Sequence, residues 1–153
     1  MIKPGDTAPD FTLYSHEKEP FQLSAQRGVV VLLFFPGAFS SVCTTELNDV
    51  NNDLAGFGDA TVVGISTDSP FTLNAFAEQN GFSFRLLSDH DAEVCAAYDV
   101  KYDRDFTPMQ LDRIAKRAAF VVDRDGVVQH VQIMEHAGKM PDLDAIKQSI
   151  ASL

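Results

Sequence analysis

Cys43 is the side chain in this sequence best placed to do chemistry. It follows Val29-Val-Val-Leu-Leu-Phe-Phe35, an unbroken apolar run that reads as a strand buried on both faces. Pro36 and Gly37 stop that strand, and Ser40 and Ser41 are placed to cap a helix. Cys43 then falls in or beside the first turn of the helix, where free N–H groups and the dipole favour an anion. A thiolate nucleophile is the chemistry such a position builds.

Other chemistries fit less well. No second Cys or His lies at metal-ligand spacing from Cys43. Ser40 and Glu46 occupy the three-residue offsets, which excludes a Cys-x-x-Cys redox pair. The loop has one Gly and no Lys, a poor phosphate cradle. His16, His90, His130 and His136 are scattered, with no partner at metal or triad spacing. Glu46 reads as an acid in the first turn, favourable for the dipole. A carboxylate aimed at Cys43 would oppose ionisation, so the alternative for Glu46 is an arginine partner. Cys95 sits in Glu93-Val-Cys-Ala-Ala-Tyr98 beside Val94, Ala97 and Tyr98 on the same inner face. Two roles stay open for it: a structural thiol, or a resolving cysteine that closes a disulfide onto an oxidised Cys43.

The elements that must hold these residues alternate along the chain. Residues 1–10 read as an extended arm. Phe11 to Tyr14 and Phe21 to Ser24 alternate at period two around a polar turn, a small hairpin. Beyond Cys43, Leu47, Val50, Leu54 and Phe57 make one helical face, closed by Gly56 and Gly58. Thr61 to Ser66 is a second buried strand. Ser69-Pro70 opens a helix that Asn80-Gly81 ends, with Leu73, Phe76 and Ala77 inward. A short strand at Phe84–Leu87 and a short helix at Asp91–Tyr98 follow. Residues 100–116 are irregular, charged and interrupted by Pro108, and suit a functional loop. Ala118–Val122 and Val127–Met134 form a hairpin across Asp125-Gly126. Leu143, Ile146 and Ile150 mark a last amphipathic helix. The order implies an α/β fold in one domain spanning 1–153, a mixed central sheet flanked by helices with an N-terminal hairpin extension. A thioredoxin-like architecture is one such arrangement; periodicity alone does not order the strands.

Composition narrows the class. A formal net charge of −10 leaves no basic cluster for nucleic acid. No apolar run approaches the roughly 20 residues a bilayer span needs, and the N-terminus shows no signal-peptide core. Two cysteines in 153 residues are too few for a secreted disulfide scaffold. The expectation is a cytoplasmic protein.

Pro36-x-x-x-Ser40-x-x-Cys43 resembles the peroxiredoxin signature Pro-x-x-x-Thr/Ser-x-x-Cys. Phe34-Phe-Pro-Gly-Ala-Phe39, Thr44-Thr-Glu-Leu47, Ala8-Pro-Asp-Phe-Thr-Leu13, Phe84 to Asp89 and Arg117-Ala-Ala-Phe-Val-Val-Asp123 match the same family, most closely its alkyl hydroperoxide reductase E-like, one-cysteine branch. The resemblance implies a thioredoxin-like fold and reduction of hydrogen peroxide or organic hydroperoxides without metal, haem or flavin. Cys43 would be the peroxidatic cysteine. Ser40, in the slot usually held by Thr, would hydrogen-bond the peroxide; Pro36 would shield the pocket. Arg117 would stabilise thiolate and transition state, with Glu46 orienting it. The resemblance also implies a homodimer and an external thiol reductant, either a thioredoxin- or glutaredoxin-like protein or a low-molecular-weight thiol. The family does not usually keep a resolving cysteine in the helix of Cys95. The non-enzymatic rival is a peroxide-responsive redox sensor or thioredoxin-like interaction module.

A magnitude shows what such a site must supply. An unperturbed cysteine of pKa ~8.5 is about 3% thiolate at pH 7. Lowering the pKa to roughly 6 raises that fraction about thirtyfold. Nucleophilicity falls with pKa, at a Brønsted slope of about 0.4–0.5, and takes back about tenfold or more. Ionisation alone therefore makes no fast peroxidase. Most of the rate must come from fixed donors that polarise the O–O bond.

Overall fold

The computed structural model describes residues 1–153. Seven strands form one sheet: β1 (Thr12–Ser15), β2 (Pro20–Gln22), β3 (Val30–Phe34), β4 (Thr61–Ser66), β5 (Arg85–Ser88), β6 (Ala118–Val122) and β7 (Val128–Ile133). Their order across the sheet is β2-β1-β5-β4-β3-β6-β7. β3, β4 and β5 run parallel, as helical crossovers require, while both outer pairs are antiparallel. Four helices pack on it: α1 (Ser41–Asn52), α2 (Pro70–Asn80), α3 (Glu93–Ala97) and α4 (Leu143–Ala151).

All five residues of β3 are buried, and they divide by parity between two cores. Val30, Leu32 and Phe34 join Phe11, Tyr98, Phe120 and Cys95 on the α3 face. Val31 and Leu33 join Cys43, Leu47, Leu73, Phe76 and Ile146 on the face of α1, α2 and α4. The two cysteines thus lie in different cores with the sheet between them.

Several local expectations are corrected. The core strand is two residues shorter than its apolar run, with Val29 and Phe35 as its flanks, each still bonded to β4 through Thr61 N–H to Val29 C=O and Phe35 N–H to Ile65 C=O, both 2.9 Å. The helix carrying Cys43 ends at Asn52; Leu54–Phe57 is a separate 3₁₀ turn. The short strand begins at Arg85, and the Cys95 helix covers only Glu93–Ala97 because buried Asp89 caps it, accepting from the N–H groups of Val94 and Cys95 at 3.1 and 2.8 Å. α2 follows its punctuation, with Pro70 first and Gly81 closing it at a φ of 67° that glycine adopts freely.

Candidate active site

Strand pairing assembles the site. β3 delivers the chain to the loop 35–40 and then to α1, whose third residue is Cys43. β6 runs antiparallel to β3 with Ala118 opposite Phe34. Arg117, one residue before β6, therefore arrives beside the C-terminal end of β3. Its Nη2 donates to Cys43 Sγ at 3.2 Å and its Nη1 to Glu46 Oε1 at 2.5 Å. Nε and Nη2 also donate to the Ala137 carbonyl, at 3.1 and 2.9 Å. Four bonds fix a guanidinium that is only 2% exposed, so it is held in place before any substrate arrives. Its pKa is raised: burial pulls it down, but Cys43 and Glu46 more than compensate.

Glu46 departs from its first-turn reading. It is the sixth residue of α1, fully buried, and turned to Arg117 rather than to the helix N-terminus. Oε2 has no hydrogen-bond partner. Burial pushes its carboxyl up to about 7, against the opposing pull of Arg117. Between an ordinary 4.5 and about 7 the folded state holds this proton more tightly than the unfolded chain. Glu46's contribution to stability therefore falls as pH rises through that window. Glu46→Gln is expected to flatten the dependence. Urea midpoints of both proteins at pH 5 and pH 7.5 test this; parallel pH profiles would refute it.

Ser40 takes the N-cap position of α1 but does not cap it. Its hydroxyl donates to the Gly37 carbonyl at 2.9 Å, and no helix N–H bonds to it. The first backbone bond of the helix is Thr44 N–H to Ser40 C=O, 2.9 Å. The N–H groups of Val42 and Cys43 precede it and remain available as donors. Buried Pro36, together with Ser40, Val42, Phe106, Ile114, Arg117 and Ala137, lines a cavity of about 300 Å³. Cys43 itself has no solvent exposure.

Pro36, Ser40, Cys43, Glu46 and Arg117 thus come together, and Cys95 does not join them. Its Sγ donates to the Ala92 carbonyl at 3.4 Å, and burial, then Asp89, pushes the thiol up to about 12. His16 accepts the Leu86 N–H through Nδ1 at 3.1 Å, bracing β5. No group of three or more His, Cys, Asp or Glu is placed to hold a metal ion. Phe106 and Ile114, from the irregular stretch 100–116, and Ala137 wall the cavity with no motif of their own. Asp68, whose carboxylate accepts the Ala38 N–H at 2.8 Å, has none either. The signal for Asp68 was its position just past a buried strand, at the sheet end where Cys43 lies.

Residues 4–131 match the AhpC/TSA family. The chain belongs to that family, the peroxiredoxins. It is 36% identical to alkyl hydroperoxide reductase E of Mycobacterium tuberculosis, across 100% of this chain and 99% of that protein. It is 38% identical to peroxiredoxin Bcp of Escherichia coli over 85% of each. The crystal structure of peroxidoxin BcpB from M. tuberculosis superimposes with a TM-score of 0.86 at 32% identity, covering 100% of this chain and 99% of that one. The fold is the thioredoxin-like fold of peroxiredoxins.

Proposed function

We propose that this protein is a thiol-dependent peroxidase in which Cys43 reduces hydroperoxides. The observation that carries the reading is Arg117 Nη2 at 3.2 Å from Cys43 Sγ, buried and bonded on every side. The thiolate attacks the terminal peroxide oxygen. An S–O bond forms as the O–O bond breaks, the sulfur is oxidised to a sulfenic acid, and the leaving oxygen departs as water or an alcohol after taking a proton. Negative charge moves from sulfur to the leaving oxygen during this step. Arg117 and the free amides of Val42 and Cys43 are donors on its path, and Ser40 contacts the peroxide.

The cavity has room for organic hydroperoxides as well as for hydrogen peroxide. Liquid water takes about 30 Å³ per molecule, so 300 Å³ far exceeds what hydrogen peroxide occupies. Pro36, Val42, Phe106 and Ile114 offer the excess room to an apolar group. An external thiol then returns Cys43 to its reduced form. The 153 residues act as one domain, in the cytoplasm, where the two free thiols suit a reducing compartment. No helix is long and apolar enough to cross a membrane. The half-exposed ring of Phe39 and the largely exposed ring of Phe71 supply apolar surface for a homodimer.

Mass spectrometry after one equivalent of cumene hydroperoxide tests the reading. A sulfenic acid trapped by dimedone at Cys43, with no Cys43–Cys95 disulfide, is expected. An unmodified Cys43 would refute the peroxidase.

A further inference from the structure

The Gly37–Ala38 peptide unit is bonded at both ends. Its carbonyl, on Gly37, accepts the Ser40 hydroxyl proton at 2.9 Å. Its N–H, on Ala38, donates to Asp68 Oδ2 at 2.8 Å. Asp68 stands in the turn between β4 and α2 and is itself held by three further bonds to two serines. Oδ2 also accepts from Ser66 Oγ at 2.6 Å, the Asp68 N–H donates back to Ser66 Oγ at 3.3 Å, and the Asp68 carbonyl accepts from Ser88 Oγ at 2.6 Å. Ser66 and Ser88 end two adjacent parallel strands, so the carboxylate is anchored to the sheet.

We infer that Asp68 is a positioning residue for peroxide reduction, acting on Ser40 through the Gly37–Ala38 peptide. With its proton committed to Gly37, the Ser40 oxygen presents its lone pairs to the cavity and accepts from the hydroperoxide O–H. A carboxylate on the N–H of a peptide unit strengthens the acceptor at the other end of that unit, so the Ser40 proton is held more firmly. The arrangement also bears on serine standing where threonine is usual. Threonine's methyl restricts χ1, and serine lacks that restriction. Here the bond to a pinned carbonyl selects the rotamer instead. The loop needs such a pin, because Phe39 between them sits at a φ of 68°, in the left-handed region that non-glycine residues disfavour.

This inference rests on the peroxidase reading and on Ser40 touching the peroxide, and a double-mutant cycle separates the two. The probe is cumene hydroperoxide, the readout is the second-order rate of Cys43 oxidation, and iodoacetamide alkylation reports general access to the thiol. Asp68→Ala is expected to slow oxidation about tenfold and to leave alkylation within about twofold. In a Ser40→Ala background, Asp68→Ala is expected to have no further effect on oxidation. Asp68→Asn, of nearly the same size and still able to accept from Ala38, is expected to fall between the wild type and Asp68→Ala. It serves in the cycle if the alanine variant does not fold. Equal losses in both backgrounds, or parallel loss of oxidation and alkylation, would overturn the relay. A Ser40→Ala protein as fast as the wild type would overturn it too, while leaving Cys43 oxidation itself intact. Failure of Cys43 to oxidise in the wild type is the separate result that removes the peroxidase.

Discussion

Arg117→Ala is expected to slow oxidation of Cys43 by peroxide on the order of a thousandfold, the loss typical of removing a preorganised donor from a charged transition state. Alkylation by iodoacetamide should fall by no more than about tenfold, because a thiolate that forms less readily is also the better nucleophile. The two reactions share the sulfur but only the first breaks an O–O bond. Stopped-flow rates for both, on the same variant, measure the difference. Equal losses would mean that Arg117 only assists ionisation. The substitution also strands Glu46, whose Oε2 already lacks a partner. Breaking a buried ion pair from one side costs about 3–5 kcal/mol if the survivor stays charged, so Arg117→Ala is best made with Glu46→Gln in the same chain.

Cys43→Ser is expected to abolish peroxide consumption, whereas Cys95→Ser should leave turnover within about twofold of the wild type. Replacing sulfur by oxygen at position 43 leaves an alcohol that neither ionises near neutrality nor forms a stable oxidised state. Position 95 differs in every relevant respect. Its thiol is buried in the opposite core, with the sheet intervening, and is pushed up to about 12. A thiol so placed is about one part in 10⁵ thiolate at pH 7. A disulfide needs Cα atoms within about 7 Å, which two layers separated by a sheet do not offer. Serine at 95 keeps the donor to the Ala92 carbonyl that the thiol now makes. Peroxide assays on the two single variants decide between a one-cysteine and a two-cysteine enzyme; loss of turnover in Cys95→Ser would establish the latter.

Local signals carried much of the fold because they act at short range. The unbroken apolar run Val29 to Phe35, Pro70 and Gly81 around α2, and Asp125-Gly126 between β6 and β7 each specify their own element. The Cys43 position was legible for the same reason: strand, breaker and helix start are contiguous. Arg117 was not, since its place depends on β6 pairing with β3 in one register, 74 residues from Cys43. Only family likeness pointed to it. Distance from the helix start sets Glu46 near the dipole while the resemblance gives it an arginine to orient, and the buried guanidinium of Arg117 decides between the two. A serine before a helix usually caps it; at Ser40 a carbonyl three residues back competes for the hydroxyl and wins. Asp68 and Phe106 carry no motif at all, and their place becomes visible only when separate segments meet.

The full burial of Cys43 bears on how fast the oxidised protein is repaired. A sulfenic acid formed there has no surface for a protein thiol to approach in line. With a protein thiol as reductant, repair is expected to begin with the opening turn of α1 coming apart, which would break Thr44 N–H to Ser40 C=O and the contact of Arg117 with the sulfur. Each peroxide consumed would then call for one such local unfolding and one refolding. At saturating peroxide and ample protein reductant, the ceiling on throughput would be the opening frequency of a single helical turn. Substitutions that stiffen that turn would raise the melting temperature and slow recycling together.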